Sequence, residues 1–498
     1  MDSTIFTLLS ASPLFTAPAD LARRILSVLG EILVLTGAFR SGPITPAKTY
    51  EFEIQLQKLL MELGRQIVEW TFNNLEPAEQ SRMPKELTFG GEVYRRESKS
   101  PRRHAIGTLF GPIRLVRFLY RPWTPREPFL FPLEINLGIE AGGATPALAL
   151  KVASMAADLT QSQTLERLKQ EHGVSWSVET LRKLTASISE RMGEHQHPAQ
   201  QARLLELLDQ ADKSSGPRKI VLSVGRDGIF VPIRKSRSYQ EAATATVAVH
   251  DRSGRRLGTV YLGRMPQSGQ GTLSKQLICL LSDVLAQWHG PMPRLCYVTD
   301  AGHHPTVFFK ETLRKMLHPR TGKLLEWEWV VDYFHVCGYI SKLAQALFGE
   351  GKEASAWARK MRRWLKTKPN GAYRVLHSAA ALKDLHGLSG AAKQFADAYR
   401  YIKDRLGYLD YVDYRRRGLP IGSGVTEAAC KIVVTWRLKQ SGMKWNVAGG
   451  QIILDLRVLR LSNVWKTACD AYLAARPSIE LYTPTESKNA TTSINIAA

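Results

Sequence analysis

The stretch IGSGVTEAACKIVVTWRLKQSGMKW, residues 421–445, is the part of the chain around which the rest is organised. Two glycines around a serine open it, and a run with helical spacing of apolar residues follows. We predict that Thr426 is the N-cap, because its hydroxyl can accept a free amide at a helix start. Glu427 would then lie in the first turn, where the helix dipole favours negative charge. Gly442 predicts the end of the helix.

The spacing inside this stretch suggests a functional surface. Glu427, Lys431 and Val434 are separated by four and three residues, which predicts that they share one helix face. Further cations follow at Arg437, Lys439 and Lys444. A carboxylate beside several cations suits a metal ion that faces a phosphate backbone. The alternative is a capped amphipathic helix whose glutamate only complements the dipole.

The charge of the chain points to a polyanionic partner. The 498 residues carry a net charge of +23, and 44% of them are hydrophobic, which is enough for several globular cores. An excess of this size favours nucleic acid as the partner, ahead of an anionic membrane surface. A generally basic protein without such a partner is the alternative.

The cysteines and the apolar runs limit the compartment. The five cysteines form no C-x-x-C pair, which argues against a zinc ribbon or a disulfide framework and fits a reducing cytoplasm. The apolar run 25–39 contains Glu31 and is too short to span a bilayer, and the N-terminus lacks a signal-peptide pattern. We therefore expect a cytoplasmic protein that does not bind membranes.

The N-terminal half divides into three predicted regions: helices over 1–85, a basic β-rich module over 86–135, and a helical region over 145–210. The β-rich module is followed by prolines, and its candidate DNA contacts are Arg102 and Arg103. In the third region a helix is predicted to end at Gly173, and Ser177 is predicted to cap the next helix. This helix-turn-helix-like pattern makes Arg182 and Lys183 DNA-binding candidates. A solvated basic face is the alternative in both regions.

The pattern changes to alternating strands and helices over 218–340. A hairpin is predicted around 251–254, and each of three buried strands is predicted to end near an aspartate: Asp227, Asp300 and Asp332. Ligands collect at the C-terminal ends of strands in mixed α/β sheets. The repeated placement therefore predicts a site built from these acids.

The remaining regions are a helical insertion over 341–417, a region over 418–475 that carries the Glu427 helix and continues the α/β part, and a disordered tail over 476–498. Cations cluster in and just after the insertion. The candidates for DNA contact there are Arg362, Arg363, Arg415, Arg416 and Arg417.

Asp227, Asp300 and Glu427 together suit phosphodiester chemistry. Two Mg²⁺ ions held by carboxylates can activate an attacking oxygen and stabilise a leaving one. Clustered carboxylates repel one another unless cations hold them, so such a set lowers the stability of the fold and is expected where it has a function.

The segments GRDGIFVPI (225–233), YVTDAGHHPTVFFKETL (297–313), VVDYFHV (330–336) and IGSGVTEAACK (421–431) resemble bacterial insertion-sequence transposases of the DDE class, in the Mutator-like branch. The resemblance covers roughly 219–465. It implies an α/β RNase H-like catalytic domain with an all-helical insertion, preceded by helical and small β-rich DNA-binding modules. It also implies that Asp227, Asp300 and Glu427 are the three catalytic, metal-binding acids.

Two assignments keep alternatives. Asp332 and His335 match the branch's C/D-x-x-H motif and would support the site, but DYFH also fits a D-x-F-H segment, in which Asp332 rather than Asp300 would be the second metal ligand. Trp445 is a candidate for stacking on an unpaired base, and a core position is its alternative.

The resemblance implies a transposase that binds the terminal inverted repeats of its element and performs cleavage and strand transfer. Two Mg²⁺ ions would be bridged by Asp227 and Asp300, with Glu427 on the second ion, and Mn²⁺ is expected to substitute. The partners would be double-stranded DNA of element ends and target, and a second copy of the chain in a dimer or larger assembly. The alternatives are a catalytically inactive or domesticated DNA-binding regulator, and a DDE-type nuclease without strand transfer.

Overall fold

The computed structural model of the chain describes residues 19–77, 82–97, 102–124, 127–236, 238–386, 388 and 391–479. They belong to two compact units. The first comprises the described residues of Met1–Met155, Thr160–Ile188 and Leu473–Ala498, and the second comprises those of Ala156–Leu159 and Ser189–Tyr472. The predicted disordered tail lies outside the described residues from 480 onward.

Two long helices open the described part of the first unit, α1 (Ala19–Arg40) and α2 (Pro46–Asn73). The helices predicted in this region are present in its described part as α1 and α2. The start of α2 is fixed by Thr45, whose side chain accepts a hydrogen bond from the Lys48 amide at 3.2 Å. Pro46 suits the first position because its missing N–H would have no helical partner there.

The basic β-rich region contains five short strands: β1 (Glu86–Phe89), β2 (Glu92–Arg96), β3 (Arg102–Thr108), β4 (Gly111–Arg117) and β5 (Tyr120–Pro122). β3 and β4 form an antiparallel hairpin, and β2 lies between β1 and β5 in a separate antiparallel sheet. The predicted β structure is present, and side chains alternate in β4, where Ile113 and Leu115 are buried and Arg114 is exposed.

Four helices follow: α3 (Pro132–Asn136), α4 (Pro146–Asp158), α5 (Gln161–His172) and α6 (Val178–Asp212). The predicted helix pair is confirmed as two helices. Gly173 ends α5 with a φ of 61°, a conformation that glycine adopts without strain. The Ser177 hydroxyl accepts a hydrogen bond from the Thr180 amide at 3.0 Å and so caps α6. α6 runs for 35 residues, and the division between the units falls inside it.

The second unit is mixed α/β and is built on a five-stranded sheet of β6 (Val221–Val231), β7 (Gln240–His250), β8 (Arg256–Arg264), β9 (Arg294–Thr299) and β10 (Trp327–Val331). The strand order is β10-β9-β6-β7-β8. β6, β7 and β8 form an antiparallel meander, while β9 pairs in parallel with β6 and β10 pairs in parallel with β9. The predicted hairpin is confirmed, with Asp251 Oδ1 accepting from the amides of Ser253 and Arg255 at 2.9 and 2.8 Å.

Seven helices accompany the sheet and the region after it: α7 (Gly271–Gln287), α8 (His303–Glu311), α9 (Tyr333–Phe348), α10 (Lys352–Thr367), α11 (Gly371–His386), α12 (Ala392–Lys403) and α13 (Tyr411–Arg417). The predicted helical stretch therefore begins at Tyr333 rather than at residue 341. It begins early because Asp332 caps α9, accepting from the His335 amide at 2.8 Å.

The C-terminal part starts with a helix in three pieces: α14 (Gly424–Ala429), a π-helical turn (Cys430–Thr435) and α15 (Trp436–Leu438). α16 (Val447–Leu461) and α17 (Trp465–Ala474) follow. Val433, Val434 and Leu438 are fully buried in a core cluster with Val231 and Leu454. Among the described residues, no helix is long and apolar enough to cross a membrane.

Candidate active site

Asp227 lies in the middle of β6, and the prediction that the strand ends near it is wrong. β6 pairs with β7 from Val221↔His250 to Val231↔Gln240, so the ladder continues past Asp227. The Asp227 carboxylate accepts a hydrogen bond from the Gly228 amide at 2.7 Å and a weak one from the Cys430 thiol at 3.5 Å. Its remaining lone pairs are available to a ligand.

Asp300 follows β9 directly, as predicted. The parallel pairing of β6 with β9 ends at Val224↔Tyr297, and Asp227 and Asp300 each come three residues after that last pair. The negative charge of Asp300 acts on Asp227 and raises its pKa, so the two carboxyl groups lie near one another. Asp300 Oδ1 accepts from the Gly302 amide at 2.9 Å.

Glu427 lies in the first turn of α14, as predicted, and is exposed. Its Oε1 accepts from the Ser423 hydroxyl at 3.3 Å. The pKa of Asp227 is raised to about 6, mainly by burial and further by the negative charges of Asp300 and Glu427, while the hydrogen bonds from Gly228 and Cys430 act in the opposite direction. The structure thus brings the three predicted acids within electrostatic range of one another.

Thr426 is not the N-cap, because α14 begins two residues earlier, with Ser423 in the cap position. The Thr426 hydroxyl instead contacts the Thr246 hydroxyl of β7 at 2.8 Å. Gly225 of β6 allows this close approach: a Cβ there would lie 1.9 Å from the Thr426 hydroxyl oxygen. α14 is therefore packed directly on the sheet beside the strand that carries Asp227.

The prediction that Glu427, Lys431 and Val434 share one face is also wrong. Glu427 and Lys431 are exposed, whereas Val434 is fully buried. The π-helical turn between 430 and 435 uses i→i+5 bonds and so shifts the register of the residues that follow. The helical part also ends at Leu438, ahead of the predicted stop at Gly442.

Asp332 is 1% exposed and its carboxylate is fully engaged within the protein. Oδ1 accepts from the His335 amide, and Oδ2 accepts from both the amide and the hydroxyl of Ser423. These donors fix the start of α9 and the loop before α14. The contacts favour Asp300 over Asp332 as the second metal ligand.

His335 contributes its backbone, rather than its ring, to Asp332. The side chain is exposed, and its ring centroid lies 5.4 Å from that of Tyr339 and 5.7 Å from that of Tyr401. Tyr401 in turn donates a hydrogen bond to the backbone oxygen of Asp300 at 2.6 Å.

The donor chemistry of this site fits Mg²⁺. Among the described residues, no group of three or more His, Cys, Asp and Glu side chains is close enough to enclose a metal ion. Mg²⁺ does not need such an enclosure, because it is usually held by one or two carboxylates with waters and phosphate oxygens. Asp227 and Asp300 offer hard oxygens whose mutual repulsion a divalent cation would offset.

Sequence reasoning missed Ser423, Cys430 and Tyr401. Ser423 bridges Asp332 and Glu427, and a signal existed, because this serine lies in the glycine-flanked entrance to the helix. Cys430 contacts both Asp227 and Thr244, but a single buried cysteine carries no signal in a sequence. Tyr401 reaches Asp300 across 101 residues of chain, which no local pattern could indicate.

Most predicted DNA-binding cations are on the surface. The exposed ones are Arg102, Arg103, Arg182, Lys183, Arg363, Arg415, Arg416, Lys431, Lys439 and Lys444. Three of these have acidic neighbours within the protein: Arg102 with Glu97 at 3.7 Å, Lys183 with Glu179 at 3.9 Å and Arg416 with Asp413 at 2.6 Å.

Four other candidates do not suit a DNA contact. Arg437 is 1% exposed and donates to the Ala156 carbonyl at 3.2 Å. Arg417 is held by Glu328 and Asp413, and Arg362 donates to the Ser341 hydroxyl. Trp445 is half-buried beside Arg437, and its indole N–H donates to the Leu438 carbonyl at 3.0 Å. Arg437 is therefore removed from the surface, and the other three side chains, which are half-buried, are engaged by partners within the protein.

Trp436, which was not selected, is the exposed aromatic residue of this helix, with 66% of its surface accessible.

No protein-family model matches the chain, and a search of curated proteins finds no related sequence.

Proposed function

We propose that this chain is a DDE-class transposase with an RNase H-like catalytic domain, acting on the DNA of an insertion sequence in the bacterial cytoplasm. The observation that carries the proposal is the grouping of Asp227, Asp300 and Glu427. Asp227 lies on β6, Asp300 directly follows the adjacent parallel strand β9, and the glutamate lies on a helix packed on the same sheet. Their charges act on one another, as the raised pKa of Asp227 indicates.

The topology of the second unit supports the fold assignment. A three-stranded antiparallel meander is followed by a strand that adds in parallel to its first strand and by another that adds in parallel to that one. A run of helices then separates β10 from the helix that carries Glu427. An RNase H-like domain with a helical insertion before its last acid would have this arrangement.

The chemistry follows from the side chains. Two bound Mg²⁺ ions would activate an attacking oxygen and stabilise the leaving one. Asp227 and Asp300 would hold the ions on the sheet, and Glu427 would hold the second ion from the helix. Exposed cations such as Lys431, Lys439 and Lys444 would hold the phosphate backbone near the acids.

Strand transfer would use the 3′-OH freed by the first cleavage as the next nucleophile, so no covalent protein–DNA intermediate is required. Two element ends must react together, and we therefore propose a dimer or larger assembly on DNA. The basic β-rich module and the α5–α6 pair would bind the terminal repeats.

The test is a reaction of purified protein with labelled duplexes from the DNA that flanks the gene, Mg²⁺ and a plasmid target. The proposal predicts Mg²⁺-dependent cleavage at the repeat ends and joint molecules with the plasmid. Cleavage without joint molecules would indicate a nuclease, and binding without cleavage would indicate a regulator. Replacement of Mg²⁺ by Mn²⁺ should preserve the products, whereas Ca²⁺ serves as a non-catalytic control.

A further inference from the structure

Two buried arginines contact the helix of Glu427, and the proposed chemistry does not use them. Arg437 and Arg457 are 1% and 4% exposed. A buried guanidinium is costly unless its donors find acceptors. The acceptors are therefore informative about what these side chains do.

Arg457 connects the π-helical turn to the end of α4. Its Nε donates to the Val433 carbonyl at 2.8 Å, and its Nη2 donates to the Ile432 carbonyl. Its Nη1 donates to the Ala157 carbonyl at 2.6 Å and to Asp158 Oδ1 at 2.8 Å. Ala157 and Asp158 lie in the last turn of α4, where carbonyls lack helical partners and the dipole favours a cation.

Arg437 repeats the arrangement from the other side of the turn. Its Nε donates to the Ala156 carbonyl, and its guanidinium lies 5.1 Å from the centre of the Trp445 ring. The middle of the π-helical turn, through Arg457, and the residue two positions after the turn, Arg437, are thus tied to one helix terminus.

The π-helical turn sets the direction of the Glu427 side chain relative to the residues after the turn. Successive residues of an α-helix are rotated by about 100°, so one extra residue in a turn rotates the two flanking parts relative to each other by about that angle. After the turn, Leu438 is fixed in the core, as are Val433 and Val434 within it. The side before the turn is fixed as well, because Ala429 belongs to the same core cluster and Thr426 contacts Thr246. If the turn relaxed to α-helix, the two sides could not both keep these contacts, and the direction of Glu427 relative to Asp227 would change.

We infer that Arg457, assisted by Arg437, is a positioning residue for Glu427, because it stabilises the π-helical turn that aims this carboxylate at Asp227 and Asp300. The role in metal binding rests on the proposed function. The role in holding the turn does not, so the two can be tested separately.

The experiment compares the wild type with Glu427→Gln, Arg457→Met and Arg460→Met. Arg460 is the matched control, because it pairs with the same Asp158 at 2.5 Å, whereas the guanidinium bonds to Ile432 and Val433 come from Arg457. Mg²⁺ affinity is measured by calorimetric titration without DNA. Amide hydrogen exchange is measured over residues 424–438.

Arg457→Met should weaken Mg²⁺ binding about 10-fold or more, as Glu427→Gln does, while Arg460→Met should change it less than about 3-fold. Exchange over 424–438 should rise in Arg457→Met alone. If Arg457→Met binds Mg²⁺ and exchanges like the wild type, the inference is wrong.

Two further outcomes are covered. If the wild type binds no Mg²⁺, the proposed function is in doubt, and the exchange data alone decide whether Arg457 holds the turn. If Arg457→Met does not fold, Arg457→Lys keeps the charge but loses the fork that reaches two carbonyls. It should show the same changes to a smaller extent, and wild-type exchange in this variant would overturn the inference.

Discussion

Asp227 lies on β6 and Asp332 directly follows β10 of the same sheet, yet the surroundings of their carboxylates differ. Asp332 is enclosed and accepts three hydrogen bonds from His335 and Ser423. Asp227 accepts one amide bond and a weak thiol contact, and two other carboxylates act on it. A buried acid whose oxygens are all satisfied stabilises the fold, whereas an acid left short of donors beside other acids is arranged for a cation. The predictions below test that contrast.

The largest effect is expected at the under-bonded acids. Asp227→Asn and Glu427→Gln should each lower Mg²⁺-dependent cleavage by at least about 10³-fold, because each removes a ligand needed in the transition state. DNA affinity, measured by fluorescence anisotropy in Ca²⁺, should stay within about 3-fold of the wild type. Cleavage by either variant at a wild-type rate would remove that residue from the site.

The next effect is on stability, at the fully bonded acid. Asp332→Ala leaves the donors of His335 and Ser423 without their acceptor and should lower the free energy of unfolding by about 3 kcal/mol. Chemical denaturation followed by circular dichroism measures it. His335→Ala, which keeps the backbone donor and removes only an exposed ring, is the control and should stay within about 0.5 kcal/mol. Equal effects of the two substitutions would contradict the structural role of Asp332.

In metal-free protein, substitution of Asp227 should raise the free energy of unfolding, whereas substitution of Asp332 lowers it. The pKa of Asp227 is about 6 in the folded protein against an ordinary value of 3.8, so folding disfavours its ionised form. This loss of stability is absent below about pH 4, grows as the pH rises to about 6 and stays constant at higher pH. Asp227→Asn should therefore stabilise the metal-free protein by about 2 kcal/mol at pH 7.5, and the gain should vanish near pH 4.

Chemical denaturation in EDTA at both pH values measures the difference in the free energy of unfolding between Asp227→Asn and the wild type. Added Mg²⁺ should reduce this difference at pH 7.5. A destabilised variant, or a gain that does not depend on pH, would show that burial and the neighbouring acids do not act on Asp227 as described.

The smallest effects concern the surface cations. Lys439→Ala and Lys444→Ala should each weaken DNA binding a few-fold and reduce the slope of log affinity against log salt by about 1. Arg437→Met should leave that slope unchanged and lower the thermal midpoint, because its guanidinium lies in the core. A reduced slope for Arg437→Met would place this side chain on the DNA.

The sheet could be predicted from the sequence, while the details around Glu427 could not. Strands such as β9 and β10 are continuous apolar runs, and the hairpin turn carries its own Asp and Gly signals. The π-helical turn leaves no comparable trace, because an extra residue in one turn changes the face without changing the composition. The burial of Arg437 could not be foreseen from the sequence, because the Ala156 carbonyl to which it donates lies 281 residues away along the chain.

Strand ends were also predicted less well than strands. The run 219–224 suggested that β6 ends near Asp227, but pairing with β7 extends it to Val231. Glycines at 225 and 228 lower the strand propensity there. They are tolerated because the Thr426 and Glu241 side chains lie where the side chains of larger residues would project.

The most direct test compares Asp300→Asn with Asp332→Asn in Mg²⁺-dependent cleavage of a terminal-repeat duplex, at a temperature where circular dichroism shows both variants folded. If Asp227, Asp300 and Glu427 form the active site, Asp300→Asn retains the wild-type melting temperature and loses cleavage by about 10³-fold. Asp332→Asn melts earlier but cleaves within about 10-fold of the wild type. The reverse result, with Asp300→Asn active and Asp332→Asn folded but inactive, would contradict this assignment and make Asp332 the metal ligand.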